Sequence, residues 1–196
     1  MLPDAELSEK PIRLRNACIF YLGHIPTFLD IQLTKTLPGS KPTSPSSFQA
    51  IFERGIDPDV DDPSRCHQHS EIPDEWPSLD EILSYQERVR DRLRSVYERG
   101  EMPQSVGRGV WLAFEHELMH LETLLYMMVQ SDKTLPPPDV PRPDFEKMGL
   151  EALGAAVENE WFDVPAQKIR IGMEDPEDGT DPRVQFGWWV KNSKLE

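Results

Sequence analysis

The stretch from Ser78 to Gly100 restricts the fold more than any other part of this chain. It opens with SLDE, a capping box in which serine and the glutamate three residues later satisfy the first backbone donors of a helix. Gly100 stands where such a helix would stop. Apolar residues recur between them at helical spacing, at Leu79, Ile82, Leu83, Val89, Leu93 and Val96. The pattern predicts an amphipathic helix that ends at about Arg99.

Two further long helices are predicted, one on each side of this segment. A mostly apolar run over residues 16–37 indicates the first, with Asn16 as its N-cap. Pro26 is expected to kink that helix near His24, because proline cannot donate to the carbonyl four residues back. The last helix is predicted over about residues 103–130.

The connection between the first two long helices is unusually long. Residues 38–77 are rich in Pro, Ser and Asp, and they are compatible with a short helix over residues 47–54. Loops of this length in a compact domain are usually functional or disordered. The predicted fold class is therefore mainly all-α, a helical bundle with a long inserted loop.

The C-terminal part of the sequence lacks the helical patterns of the preceding residues. The text SDKTLPPPDVPRPDFE predicts a non-helical linker, whereas residues 161–165 and 168–173 alternate like short strands. We therefore expect a helical bundle over residues 10–135, a linker over 136–160 and a β-containing remnant over 161–196. That remnant is too short to form a core of its own.

The amino-acid composition limits the classes of partner that the protein is expected to bind. The net charge of −14 argues against nucleic acid and anionic membranes, because both require clustered Lys and Arg. No apolar run approaches the ~18 residues that span a bilayer, and the N-terminus lacks the apolar region of a signal peptide. The only two cysteines, Cys18 and Cys66, lie in unlike sequence contexts and are not expected to form a disulfide framework. These features predict a soluble, cytoplasmic protein.

The stretch EHELMHLE contains H-E-x-x-H, the usual signature of a zinc protease helix. On a helix, His116 and His120 lie about 40° apart, so both imidazoles can approach one cation. A zinc protease also needs a third protein ligand. Thr123 and Tyr126 occupy the positions where one protease group has Gly and His. Other proteases take a glutamate from a helix about twenty residues further on, but here that region reads TLPPPDVPRP, which has no glutamate and is not expected to be helical. The sequence therefore argues against a protease. It leaves two alternatives, a metal site of another kind or two histidines that are only surface or core residues.

Two of the carboxylates in this stretch, those of Glu117 and Glu122, are poorly placed as ligands. Glu122 lies about 240° around the helix from His116, and Glu117 lies about 100° from it. We expect Glu117 to be solvated or salt-bridged, and Glu122 to support the site from a second shell or to pair with another helix.

A third ligand has to come from elsewhere in the chain. His24 lies in an apolar part of the first helix, where it is either a hydrogen-bonded core residue or a ligand that faces His116 and His120. Helical bundles build metal sites from side chains on facing helices. His67 and His69, in an acidic part of the long loop, are expected to be solvated.

These motifs resemble a known family. YLGHIPTFLD followed by EHELMHLETLLYMM is similar to the DinB-like iron-binding domain of the ergothioneine-pathway sulfoxide synthases. IFERGIDPDVDDP and CHQHSEIPDEWP resemble its fungal branch, and the similarity covers roughly residues 10–190. The resemblance implies a DinB-like four-helix bundle that holds non-haem Fe(II) through His24, His116 and His120. It leaves Glu122 in a supporting role.

The resemblance also implies a reaction. The family joins a thiol, here cysteine, to the imidazole of hercynine with O2 and oxidises the sulfur to a sulfoxide. In that family a domain similar to the formylglycine-generating enzyme follows, and FDVPAQKIRIGMEDPED resembles its start. The family text F-G-W-D-N-E is replaced here from Trp189 onward. We therefore expect a truncated chain that holds iron and is inactive alone, with no residue assigned as catalytic.

Two alternatives remain at this point. The first is a DinB-like metal-dependent thiol transferase, which would need no second domain. The second is a helical interaction protein without chemistry. Metal binding separates the second alternative from the others.

Overall fold

The computed structural model confirms a mainly all-α chain. Its helices are α1 (Cys18–Thr36), α2 (Phe48–Phe52), α3 (Leu79–Glu98), α4 (Gln104–Val129) and α5 (Phe145–Gly154), and its strands are β1 (Ile56–Pro58) and β2 (Cys66–Gln68). The structure describes residues 6–12, 15–53, 56–58, 66–68, 73, 75–100 and 102–169. Within these ranges, no helix is long and apolar enough to cross a membrane.

Helix α1 lies at the centre of the bundle, because α2, α3 and α4 all pack against it. Three long helices and the short α2 thus form the described part of the bundle; a fourth long helix is not among the described residues. The larger buried cluster includes Phe20, Phe52, Ile82, Tyr85, Val89 and Met127, and a smaller one contains Leu33, Val96 and Val106. Each large apolar side chain buried in this way contributes about 1.5–3 kcal/mol to folding.

The prediction for α3 is confirmed. The Ser78 hydroxyl accepts from the Glu81 backbone N–H at 3.3 Å, and the Glu81 carboxylate accepts from the Ser78 N–H at 2.9 Å. The helix ends at Glu98, and Gly100 has a φ of 78°, which glycine adopts without steric cost.

The N-cap predicted for α1 is wrong. Ala17, and not Asn16, is the N-cap residue, and no side chain caps the helix. Backbone carbonyls of the preceding segment replace it, because the Cys18 N–H donates to the Glu9 carbonyl at 3.3 Å and the Ile19 N–H donates to the Leu7 carbonyl at 2.8 Å. Pro26 lies within the continuous helix.

The long connection is partly ordered around two short elements. Helix α2 falls inside the predicted range, whereas the antiparallel β1–β2 pair, with Asp57 opposite His67, was not predicted. The side chain of His67 and all of His69 lie outside the described residues, so their expected solvation stays a prediction.

The predicted non-helical linker is wrong in its last residues, because α5 begins at Phe145. The prolines end at Pro143, and the Asp144 carboxylate then caps the helix by accepting from the Lys147 N–H at 2.9 Å. The strand expected over residues 161–165 is also wrong: these residues are exposed and have no regular structure. A strand needs a neighbour to satisfy its backbone, and none of the described residues pairs with it. Most of residues 168–173 lies outside the described ranges.

Candidate metal centre

The structure brings together the three histidines that the sequence singled out. His24 on α1 and His116 and His120 on α4 are 4%, 3% and 8% exposed. Nε2 of His116 lies 2.9 Å from Nε2 of His24 and 3.0 Å from Nε2 of His120. The cluster is the one set of metal-ligating side chains found in the described parts of the chain.

Helix geometry explains this convergence. His116 and His120 are one turn apart on α4, so their rings project from the same face. Helix α1 packs on that face and directs His24 between them, with ring centroids 4.7 Å and 4.8 Å from those of His116 and His120.

The tautomer of His24 follows from its backbone partner. Nδ1 of His24 lies 2.6 Å from the carbonyl oxygen of Phe52, which can only accept a hydrogen bond. Nδ1 therefore carries the proton and donates. In the neutral ring, Nε2 then keeps its lone pair and directs it at His116.

Hydrogen bonding can serve both short nitrogen contacts only if one proton on Nε2 of His116 is shared between them. If Nε2 of His116 is protonated it can donate to His24, but it then offers no lone pair to His120. If it is unprotonated, two lone pairs face each other across the contact with His24. A cation that accepts all three lone pairs removes the conflict. Ligands at about 2.1 Å from one metal and about 90° apart are separated by about 3.0 Å, which matches the observed spacing.

Burial keeps these imidazoles neutral, which is the state that binds metals. Desolvation lowers the pKa of His24 below its usual value. Desolvation, and then His24 and His120, lower the pKa of His116 to about 2. Desolvation, and then His24, lower the pKa of His120 to about 4. At neutral pH all three rings therefore carry lone pairs rather than charge.

Aromatic rings enclose the cluster. Phe20 stacks on His24 with the ring planes 18° apart, and Phe28 stacks on His116 with centroids 3.9 Å apart. The ring of Tyr21 lies 5.4 Å from that of His120. These contacts restrict rotation of the imidazoles and lower the local dielectric.

The two glutamates of the motif lie away from the cluster. Glu117 and Glu122 are exposed on α4, on other faces than His116 and His120. The expectation that Glu117 is solvated fits this placement. The supporting role of Glu122 stays a prediction.

Sequence reasoning missed the role of Phe52. Its carbonyl holds His24, and a backbone acceptor has no signature in a sequence. A signal did exist in Gly23, an unexpected glycine inside a helix. A Cβ built there would lie 2.5 Å from the Phe52 ring, so this position requires glycine for the close approach of α2.

The low pKa values of the histidines predict how the metal-free chain responds to acid. As the pH falls below the usual histidine value of 6.5, the unfolded chain takes up protons that the folded cluster refuses. The free energy of unfolding should therefore be steady above that pH and fall below it, by up to about 1.4 kcal/mol per pH unit for each histidine. Urea unfolding at several pH values between about 7.5 and about 5 measures this slope.

A His120→Gln variant provides the control for this measurement. In this variant the free energy of unfolding should fall less steeply with decreasing pH, by the contribution of one histidine, because glutamine does not titrate. A wild-type stability that does not change over the same pH range would contradict the expectation.

Comparisons with known proteins agree with the helical site. The DinB superfamily profile matches residues 1–124, which contain the three histidines. The chain is 64% identical over 190 residues to a Neurospora crassa protein named ergothioneine biosynthesis protein 1, covering 96% of this chain and 22% of that protein. It is 38% identical over 169 residues to the Schizosaccharomyces pombe protein of the same name, covering 83% of this chain and 21% of that protein.

The chain thus spans about a fifth of the length of these curated relatives, and the match to the Neurospora crassa protein covers so much of the chain that it includes both histidine-bearing helices. The superfamily profile covers more than half of the chain and includes α1, α3 and most of α4. This chain belongs to the DinB superfamily.

Proposed function

We propose that this chain is the iron-binding part of an ergothioneine-pathway sulfoxide synthase, with Fe(II) held by His24, His116 and His120. The observation that carries the proposal is the convergence of three buried imidazole nitrogens on one point, at the separations expected of ligands on a single cation. The names of the two relatives supply the pathway.

The donor set fits the proposed metal. Imidazole suits iron, zinc, copper and nickel, and three neutral ligands leave the charge of the cation uncompensated. Such a site favours an anionic thiolate, and bound Fe(II) would supply positions for the thiol, O2 and the hercynine imidazole. The overall reaction balances: hercynine, cysteine and O2 give the sulfoxide and water, with a new C–S bond.

The residues of this chain would hold and protect that centre. His24, His116 and His120 present unprotonated nitrogens, and the Phe52 carbonyl keeps the proton of His24 on Nδ1. Phe20 and Phe28 cover the outer faces of two of the rings and exclude water from them. Substrate binding is proposed to need residues that the longer relatives have outside the matched fifth of their length.

We expect the isolated chain to bind Fe(II) in an equimolar ratio and to form no measurable sulfoxide from hercynine, cysteine and O2. Anaerobic Fe(II) titration measures the first, and mass spectrometry of the reaction mixture measures the second. The His120→Ala variant is the control, because removal of a proposed ligand should abolish equimolar binding while the rest of α4 is unchanged.

Each part of this expectation can fail separately. A wild-type chain that binds no Fe(II) contradicts the proposed centre. Sulfoxide produced by the isolated chain contradicts the need for further residues. Transfer of the thiol to another acceptor without oxidation would instead identify a thiol transferase.

A further inference from the structure

Helix α1 carries a buried charge that the metal centre does not use. Asp30 on α1 is fully buried, and its carboxylate accepts hydrogen bonds from three other residues. The Thr43 N–H donates at 3.1 Å, the Gln49 amide donates at 2.8 Å, and the Arg92 guanidinium and Thr43 hydroxyl also bind it. A carboxylate removed from water in this way needs such a complete set of partners.

The partners of Asp30 come from the connection between α1 and α3 and from α3 itself. Thr43 lies in that connection, Gln49 lies on α2, and Arg92 lies on α3. Arg92 also donates to the Ser40 hydroxyl at 2.5 Å. Through its hydrogen bonds with Thr43 and Gln49, Asp30 therefore holds the first part of the long connection against α1.

This fastening reaches the metal centre through α2. Gln49 lies three residues before Phe52, about one helical turn away on a helix of only five residues. Phe52 is fully buried, its ring lies against Gly23, and its carbonyl accepts the hydrogen bond from His24. The position of α2 on α1 thus determines where the acceptor for His24 lies.

We propose that Asp30 is a positioning residue for the metal centre. By holding Thr43 and Gln49 it fixes α2, and α2 in turn places the Phe52 carbonyl so that His24 directs an unprotonated Nε2 toward His116. When these hydrogen bonds to Asp30 are lost, Nδ1 of His24 loses its acceptor. The proton can then move to Nε2, where it occupies the lone pair that would bind the metal. The inference concerns metal binding and rests to that extent on the proposed function.

The experiment uses two substitutions that keep side-chain shape. Gln49→Met removes the one donor from α2 to Asp30 at nearly constant length, and Asp30→Asn removes the charge. We expect ¹⁵N NMR of the metal-free protein to show His24 as the Nδ1–H tautomer in the wild type and as a tautomer mixture in both variants. We expect Co²⁺, followed by visible absorption, to bind about tenfold more weakly to both, as for other lost supports of metal ligands.

A control separates positioning from loss of stability. Ser78→Ala removes the exposed cap of α3 and destabilises the fold without touching α2 or the histidines. It should leave both the His24 tautomer and the Co²⁺ affinity unchanged. Weaker affinity in the Ser78→Ala variant, equal to that of Gln49→Met, would show a general effect of stability and overturn the inference.

The remaining outcomes are equally decisive. Folded variants with the wild-type tautomer and affinity overturn the inference, and if Asp30→Asn does not fold, Gln49→Met decides alone. If the wild type binds neither Co²⁺ nor Fe(II) the proposed function fails, but the tautomer comparison still tests whether Asp30 positions His24.

Discussion

Replacement of His24 by alanine is expected to weaken Fe(II) binding by about 100-fold or more, because α1 then contributes no ligand to the centre. His116 and His120 remain on α4, but two imidazoles one turn apart hold a cation far less tightly than three that enclose it from two helices. The loss of His24 also removes the hydrogen bond to Phe52. Anaerobic titration calorimetry measures the affinity.

Met119→Ala is the matched control for this variant. Met119 is exposed on α4 and adjoins His120 in the sequence, so its truncation tests whether any change near the site weakens binding. We expect wild-type affinity for Met119→Ala. Wild-type affinity for His24→Ala would refute the three-histidine centre.

Replacement of Gly23 by alanine is expected to lower both the stability and the metal affinity. The new Cβ would lie 2.5 Å from carbons of the Phe52 ring, closer than real contacts allow. Overpacking of a core costs about 1–3 kcal/mol, and the higher helix propensity of alanine offsets about 1 kcal/mol of it. Because Phe52 is fully buried, α2 has to shift and withdraw its carbonyl from His24. Urea unfolding and Co²⁺ titration measure the two effects.

Gly149→Ala is the control, because it shows how a change from glycine to alanine inside a helix affects stability when the new Cβ meets no other atom. Gly149 lies inside α5, and a Cβ there would meet no atom within 4 Å. The substitution should therefore leave metal affinity unchanged and should not destabilise the chain. If Gly23→Ala behaves in the same way, the close approach of Phe52 to α1 is not a constraint on the fold.

The long helices were predictable because their signals are local. The capping box at Ser78 predicted the start of α3 and the glycine at position 100 predicted its end, and the structure has the helix between them. The start of α1 was not predictable, because Ala17 is followed by amides that bond to carbonyls of Leu7 and Glu9. Those partners are brought close only by the folded chain.

The candidate site was likewise predictable where the signals are local and unpredictable where the contacts are long-range. Helical spacing places His116 and His120 on one face, and the resemblance selected His24 as the third member. The Phe52 carbonyl and the buried Asp30 were missed, because the residues they bind are separated from them by 28 and up to 62 positions. Helix α5 was missed for a simpler reason: the linker expected from the prolines that end at Pro143 was extended over residues 136–160, which contain the whole helix.

The short contacts among the imidazoles also bear on how the stability of the chain depends on a bound cation. An apolar side chain in place of one of these histidines would pack without competition for a shared proton. The surrounding core, built from residues such as Phe20 and Val89, is close to fully buried and offsets the free energy that this competition costs. In the proposed function a bound cation removes the competition, so the metal-loaded chain is expected to melt at a higher temperature than the metal-free chain.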